Sequence, residues 1–185
     1  MAWIRTIGDG EATGHVRSLY QKIVGQRGKL SNIMRVHSLC PEALAAHLEL
    51  YQALIFESGT LTREEREAIA VVVSAANGCQ YCLRHHAAAL RHYWKDEERV
   101  KQLGQDRSSL ELSSRLRAML DYAEKLTLTP HLMQKGDVER LHAAGLRDED
   151  VLTLSLVASY FNFVNRIALG LGVEWTPDEV NGYRY

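Results

Sequence analysis

Only three prolines, Pro41, Pro130 and Pro177, interrupt the 185 residues of this chain, and their scarcity does most to limit the folds open to it. Proline removes a backbone donor and breaks helices from within, so the stretches between these three are free to be helical. Those stretches are rich in Ala, Leu, Glu and Arg, with apolar residues recurring three and four apart. The sequence therefore predicts an all-α protein, a helical bundle formed as a single domain over residues 1–185. A site-bearing core covers about 41–103, C-terminal helices cover 111–172, and a tail follows over 173–185.

Cap signals mark the helices. Glu11 to Gln26 reads as a first amphipathic helix, and Pro41 sits at the first position of another that runs to about Phe56. Thr62 and Glu65 form a capping-box pattern for a helix ending at Asn77-Gly78. Further helices are predicted over Cys79–Trp94, Asp96–Leu103, Glu111–Leu128, Asp137–Ala144 and Asp148–Leu169. The last is apolar on nearly every side, which predicts a central helix or a subunit interface. Its weakly polar run, Val151 to Val164, is too short to span a bilayer. A shift of 85 residues aligns Leu61 with Leu146, Glu64 with Glu149, Val72 with Val157, Ser74 with Ser159 and Asn77 with Asn162. This is either a faint internal repeat or the similarity of two amphipathic helix starts.

Charge narrows the partners. Twenty-two Lys and Arg against 23 Asp and Glu offer no bulk attraction to nucleic acid or to an anionic membrane. No apolar leader follows the N-terminus, so a reducing cytoplasm is the expected location, where a cysteine pair is catalytic or metal-binding rather than a structural disulfide.

Such a pair occurs as Cys79-x-x-Cys82, placed at a helix start where free N–H groups and the helix dipole favour a thiolate. At about 100° per residue, His86 falls between the azimuths of Cys79 and Cys82, and His85 falls outside them. His86 is therefore the expected base for Cys82, and His85 a polar neighbour. Glu67 lies in an otherwise uncharged run, where burial would raise its pKa and suit it to a proton relay. Cys40 is read as a packing residue, and His15, His37, His47, His92, His131 and His142 as incidental. Zinc held by Cys79, Cys82 and His86 would need a fourth ligand, for which only Glu67 is at hand.

The spacing Glu67-x11-Cys79-x-x-Cys82-x3-His86 resembles the signature of the alkylhydroperoxidase D-like proteins within the carboxymuconolactone decarboxylase family. Pro-Glu-Ala-Leu at 41–44 and Asn165-Arg166-Ile167 resemble its peroxidase-related branch. The resemblance implies an all-helical, homo-oligomeric peroxidase in which Cys82 attacks the peroxide, Cys79 resolves, and Glu67 and His86 relay protons. It implies no cofactor and no metal. The implied partners are a hydroperoxide substrate and a dithiol reductant such as a lipoyl-bearing protein. Tyr81 stands where the best-known members carry a relay histidine, and a phenol with a pKa of about 10 is a poor base near neutrality. Two alternatives stand beside this reading: a lactone-acid decarboxylase, and a non-enzymatic redox-sensing or zinc-binding helical module.

Overall fold

The structure, a computed structural model, describes residues 2–184. Ten α-helices carry the chain: α1 (Gly14–Arg27), α2 (Asn32–Val36), α3 (Pro41–Tyr51), α4 (Arg63–Ala76), α5 (Gln80–Trp94), α6 (Glu97–Gln105), α7 (Ser114–Leu128), α8 (Lys135–Ala143), α9 (Asp148–Gly170) and α10 (Pro177–Val180). Short 3-10 turns follow α2 and α7. The described residues include no strand, as the sequence predicts.

Capping explains most of the differences at helix ends. Ser113 accepts from the Leu116 N–H at 3.2 Å, so α7 starts three residues later than predicted. Asp137 accepts from the Gln134 N–H at 2.7 Å and so sits one turn inside α8 rather than at its start. The Thr62–Glu65 capping box forms as expected. The predicted helix to Phe56 ends in one π-helical turn over Gln52–Phe56.

The core centres on α4, which packs against α5, α7 and α9. Every residue from Arg66 to Ser74 is buried. Its small side chains, Ala68, Ala70 and Ser74, let neighbours approach from all sides. The 23-residue α9 is long and apolar enough to cross a membrane by length and composition, but it buries one face, with Leu154, Val157, Phe161 and Val164, and exposes Leu152, Leu156, Phe163 and Leu169.

Gly78 makes the break on which the site depends. Its φ of +67° is open to glycine at little cost, and it turns the chain from the end of α4 directly into α5. The residues offset by 85 take matching places in part: Leu61 and Leu146 are both buried, as are Val72 and Val157, and Asn77 donates to Asn162 Oδ1 at 3.1 Å. The second copy lacks the break, because α9 runs straight through the positions of Cys79 and Cys82. Cys40 is exposed at the start of α3, so the packing expected of it is not found.

Candidate functional site

Glu67 is the fixed point of the site. It is 1 % exposed. Arg63, one turn earlier on α4, donates Nε to its Oε1 at 2.8 Å, while His86 Nδ1 lies 2.7 Å from Oε2. Burial pushes the Glu67 pKa up, but His86 and Arg63 together outweigh it and hold the carboxyl below its ordinary range. Glu67 is therefore ionised, against the raised pKa expected from burial alone. Burial is also the largest influence on His86 and lowers its pKa despite Glu67. A neutral His86 facing a carboxylate through Nδ1 carries its proton there and leaves the Nε2 lone pair as a base. Its ring packs edge-on to Phe161, centroids 4.5 Å apart.

The two cysteines are buried free thiols at the start of α5, with Cys79 as the N-cap residue. The Cys82 thiol donates to Cys79, which lowers the Cys79 pKa against burial; the backbone N–H groups of Cys82 and Tyr81 add to this. The same bond, with burial, raises Cys82 well above an ordinary thiol, and Asn165 offsets only part of it. Cys79 is thus the more acidic thiol of the pair and Cys82 the less acidic, whereas the sequence pointed to a thiolate at Cys82. The sulfurs interact with each other and with Asn165, and among the described residues no hydrogen bond joins either to His86.

Asn165 is a site residue that helical spacing alone does not pick out. It donates to Ser74 Oγ at 3.2 Å and accepts from Asn77 at 3.0 Å. Asn162 extends the network to Thr127 Oγ1 at 2.9 Å. These contacts tie α9 to the α4–α5 break, so the cysteines take their position from two helices.

His85 is not the passive neighbour expected. Its Nε2 lies 2.7 Å from Glu179 Oε2, and its Nδ1 lies 2.8 Å from the Tyr81 carbonyl. Tyr81 donates its hydroxyl to Glu179 Oε1 at 2.7 Å and accepts from the Ile33 N–H at 3.1 Å. Asn32 N–H also donates to Glu179 Oε1, at 2.8 Å. Burial, then Glu179, raises the Tyr81 pKa well above a normal phenol. Tyr81 is thus held as a neutral donor that anchors α10, and it cannot serve as a base. The tail returns to its own chain through α10; Tyr185 lies outside the described residues.

A third polar chain runs through residues read as incidental. His47 Nε2 lies 2.7 Å from the Tyr160 hydroxyl, His47 Nδ1 lies 3.1 Å from His37 Nε2, and His37 Nδ1 lies 2.7 Å from the Ile33 carbonyl. The carbonyl can only accept, so the protons are ordered in one direction: Tyr160 to His47, His47 to His37, His37 to Ile33. Burial lowers His47 to about 3. Asn165, Glu179 and the His37–His47–Tyr160 chain all come from sequence-distant elements, which no local spacing could connect.

A cavity of about 60 Å³ is lined by Glu67, His85, His86, Tyr160 and Phe161. Arg27, Leu48 and Tyr51 also line it, and they line an outer cleft of about 340 Å³ as well. Among the described residues no group of three or more His, Cys, Asp or Glu side chains is placed to hold a metal ion.

The fold is the all-α fold of alkylhydroperoxidase D-like structures. The sequence profile of the carboxymuconolactone decarboxylase family matches residues 41–125. A crystal structure described as an alkylhydroperoxidase AhpD core, an uncharacterized peroxidase-related protein from Ralstonia eutropha JMP134, superimposes with a TM-score of 0.88 at 28% identity, covering 97% of this chain and 94% of that one. An uncharacterized peroxidase-related protein from Silicibacter sp. TM1040 gives 0.84 at 28% identity, covering 98% and 93%. The uncharacterized protein YdfG of Bacillus subtilis (strain 168) is 23% identical over 143 residues, which cover 77% of this chain and 96% of YdfG. Residues 41–125 thus match the carboxymuconolactone decarboxylase family, and the fold as a whole is similar to that of the alkylhydroperoxidase D-like structures.

Proposed function

We propose that the protein is a thiol-dependent peroxidase that reduces hydroperoxides with the Cys79–Cys82 pair. One observation carries this reading: Glu67, buried and bonded to Arg63, holds His86 through Nδ1 on the helix whose first turn carries two buried, free thiols. The peroxidase-related names of the two structural neighbours at 28% identity support it.

In the reduced pair one proton leaves to His86 Nε2, carried across the site by water or by the substrate hydroperoxyl group. The resulting imidazolium is balanced by Glu67. The remaining proton is shared in the S–H···S bond. When it moves to Cys79, the Cys82 thiolate attacks the terminal oxygen of R–O–O–H. The S–O bond forms as the O–O bond breaks, and RO⁻ leaves with the electron pair and takes the proton from His86. Cys82 is then a sulfenic acid. Cys79 attacks its sulfur, water leaves, and a disulfide joins the pair. An external dithiol, of which a lipoyl-bearing protein is the favoured kind, supplies two electrons and two protons to restore the thiols. Asn165 steadies Cys82 throughout.

Hydroperoxide consumption with a panel of dithiol donors tests this. Wild-type protein should turn over and form one intramolecular disulfide within a single peptide. Cys82→Ser should lose turnover, and His86→Gln should slow it about 100-fold. Turnover retained by Cys82→Ser, or oxidation that never yields the disulfide, rejects the reading.

A further inference from the structure

One cation of the site is used by nothing described so far. Arg27, the last residue of α1, sits in the wall shared by the inner cavity and the outer cleft. It donates Nη1 to the Tyr51 hydroxyl, and its guanidinium carbon lies 5.1, 4.8 and 5.3 Å from the ring centroids of Tyr51, Phe56 and Tyr183. Its Nε is buried without a hydrogen-bond partner. Among the described residues no carboxylate lies within ion-pair distance of it. Lys29, also lining the inner cavity, donates to the backbone carbonyls of Asp178 and Asn181 and lies 5.9 Å from the centroid of the Tyr183 ring.

Buried arginines are ordinarily matched by carboxylates, and a buried N–H with no acceptor calls for an explanation. The nearby acids do not bond it. The charge of Glu67 favours the cation, but its oxygens are committed to Arg63 and His86, and those of Glu179 to Tyr81 and His85. Among the described residues Glu57 is the only acid lining the outer cleft, and no ion pair joins it to Arg27. The aromatic cage holds the guanidinium by its faces, leaving in-plane donors for an anion.

We propose that Arg27 recognises a carboxylate on the substrate, so that the preferred hydroperoxides are organic acids. The O–OH end enters the inner cavity beside His86, the carboxylate takes the free guanidinium edge, and apolar substituents rest in the outer cleft on Leu48 and Phe56. This rests on the peroxidase reading above and adds to it the class of substrate.

The test compares cumene hydroperoxide with its 4-carboxylate, which differ by one anion. The readout is the ratio of their kcat/KM values. Wild-type protein should favour the carboxylate, and Arg27→Met should lower the ratio about 10- to 100-fold, as expected for a charged hydrogen-bonded pair. Arg27→Lys should retain part of it. A second arm needs no turnover: benzoate should bind wild-type protein by calorimetry more tightly than benzyl alcohol, and Arg27→Met should remove the difference. Equal loss of both kcat/KM values, with benzoate binding unchanged, would make Arg27 a structural residue and overturn the proposal. So would a wild-type preference for the neutral peroxide. Arg27-dependent benzoate binding without any hydroperoxide turnover would uphold the acid-binding site and reject the peroxidase reading instead.

Discussion

At the scale of single residues, the site works by fixing where protons sit. The two thiols are alike in chemistry and burial, yet Cys79 receives the S–H and backbone N–H donors while Cys82 gives its proton away. Thiolate absorbance followed against pH should therefore show two separate steps, one below the ordinary thiol range and one well above it. Cys79→Ser should abolish the lower step. A lower step that survives Cys79→Ser but disappears in Cys82→Ser would reverse the assignment. His47 makes the opposite use of burial. Its pKa falls from 6.5 in the unfolded chain to about 3 in the fold, so between these values only the unfolded state binds the proton. Its neutral form contributes full stability above pH 6.5, and that contribution is lost as the pH drops towards 3, by up to about 5 kcal/mol at the limit. Thermal melts from pH 7 to 4 should show a shallower acid slope for His47→Gln than for wild type. Parallel slopes would mean that His47 is not held neutral.

At the scale of elements, local signals were legible and convergent contacts were not. The Thr62 capping box, the Gly78 break and the Cys79–Trp94 helix could be read directly, because each depends on residues within a few positions. The stripe geometry selected His86 over His85 as the partner for the relay, and Glu67 holds His86 through Nδ1. Periodicity could not show that a four-residue helix after Trp175 would carry Glu179 back to Tyr81 and His85, since 98 residues separate Glu179 from Tyr81. Composition likewise left α9 as either a central or an interface helix, because apolar content does not distinguish a core face from an uncovered one. The α10 contact makes its own prediction. Glu179→Ala would leave the Tyr81 hydroxyl and the Asn32 N–H without their charged acceptor, so it should lower stability by about 1.5–3 kcal/mol in denaturant melts. Hydrogen exchange should rise over residues 173–184 before it rises in α4. An unchanged exchange pattern would show that Glu179 does not hold the tail.

At the scale of the whole molecule, α9 presents Leu152, Leu156 and Phe163 to solvent along one stripe. Exposed apolar surface of this kind is usually covered in solution, and we propose that a second copy of the chain covers it. Sedimentation at micromolar concentration should show an oligomer, and Leu156→Glu with Phe163→Glu should dissociate it without unfolding α4. A monomeric wild-type protein would remove the idea.

The closure of α10 also sets an order of events during synthesis. Arg63, Glu67, Cys79, Cys82 and His86 all emerge from the ribosome within one helical hairpin, but Asn165 and Glu179 follow some 80 to 100 residues later. A nascent chain that has extruded α5 carries both thiols without the partner that steadies Cys82 or the segment anchored beside them. Oxidation reaching the pair in that interval meets sulfurs whose environment is still incomplete. The two thiols are thus made long before the residues that complete their surroundings.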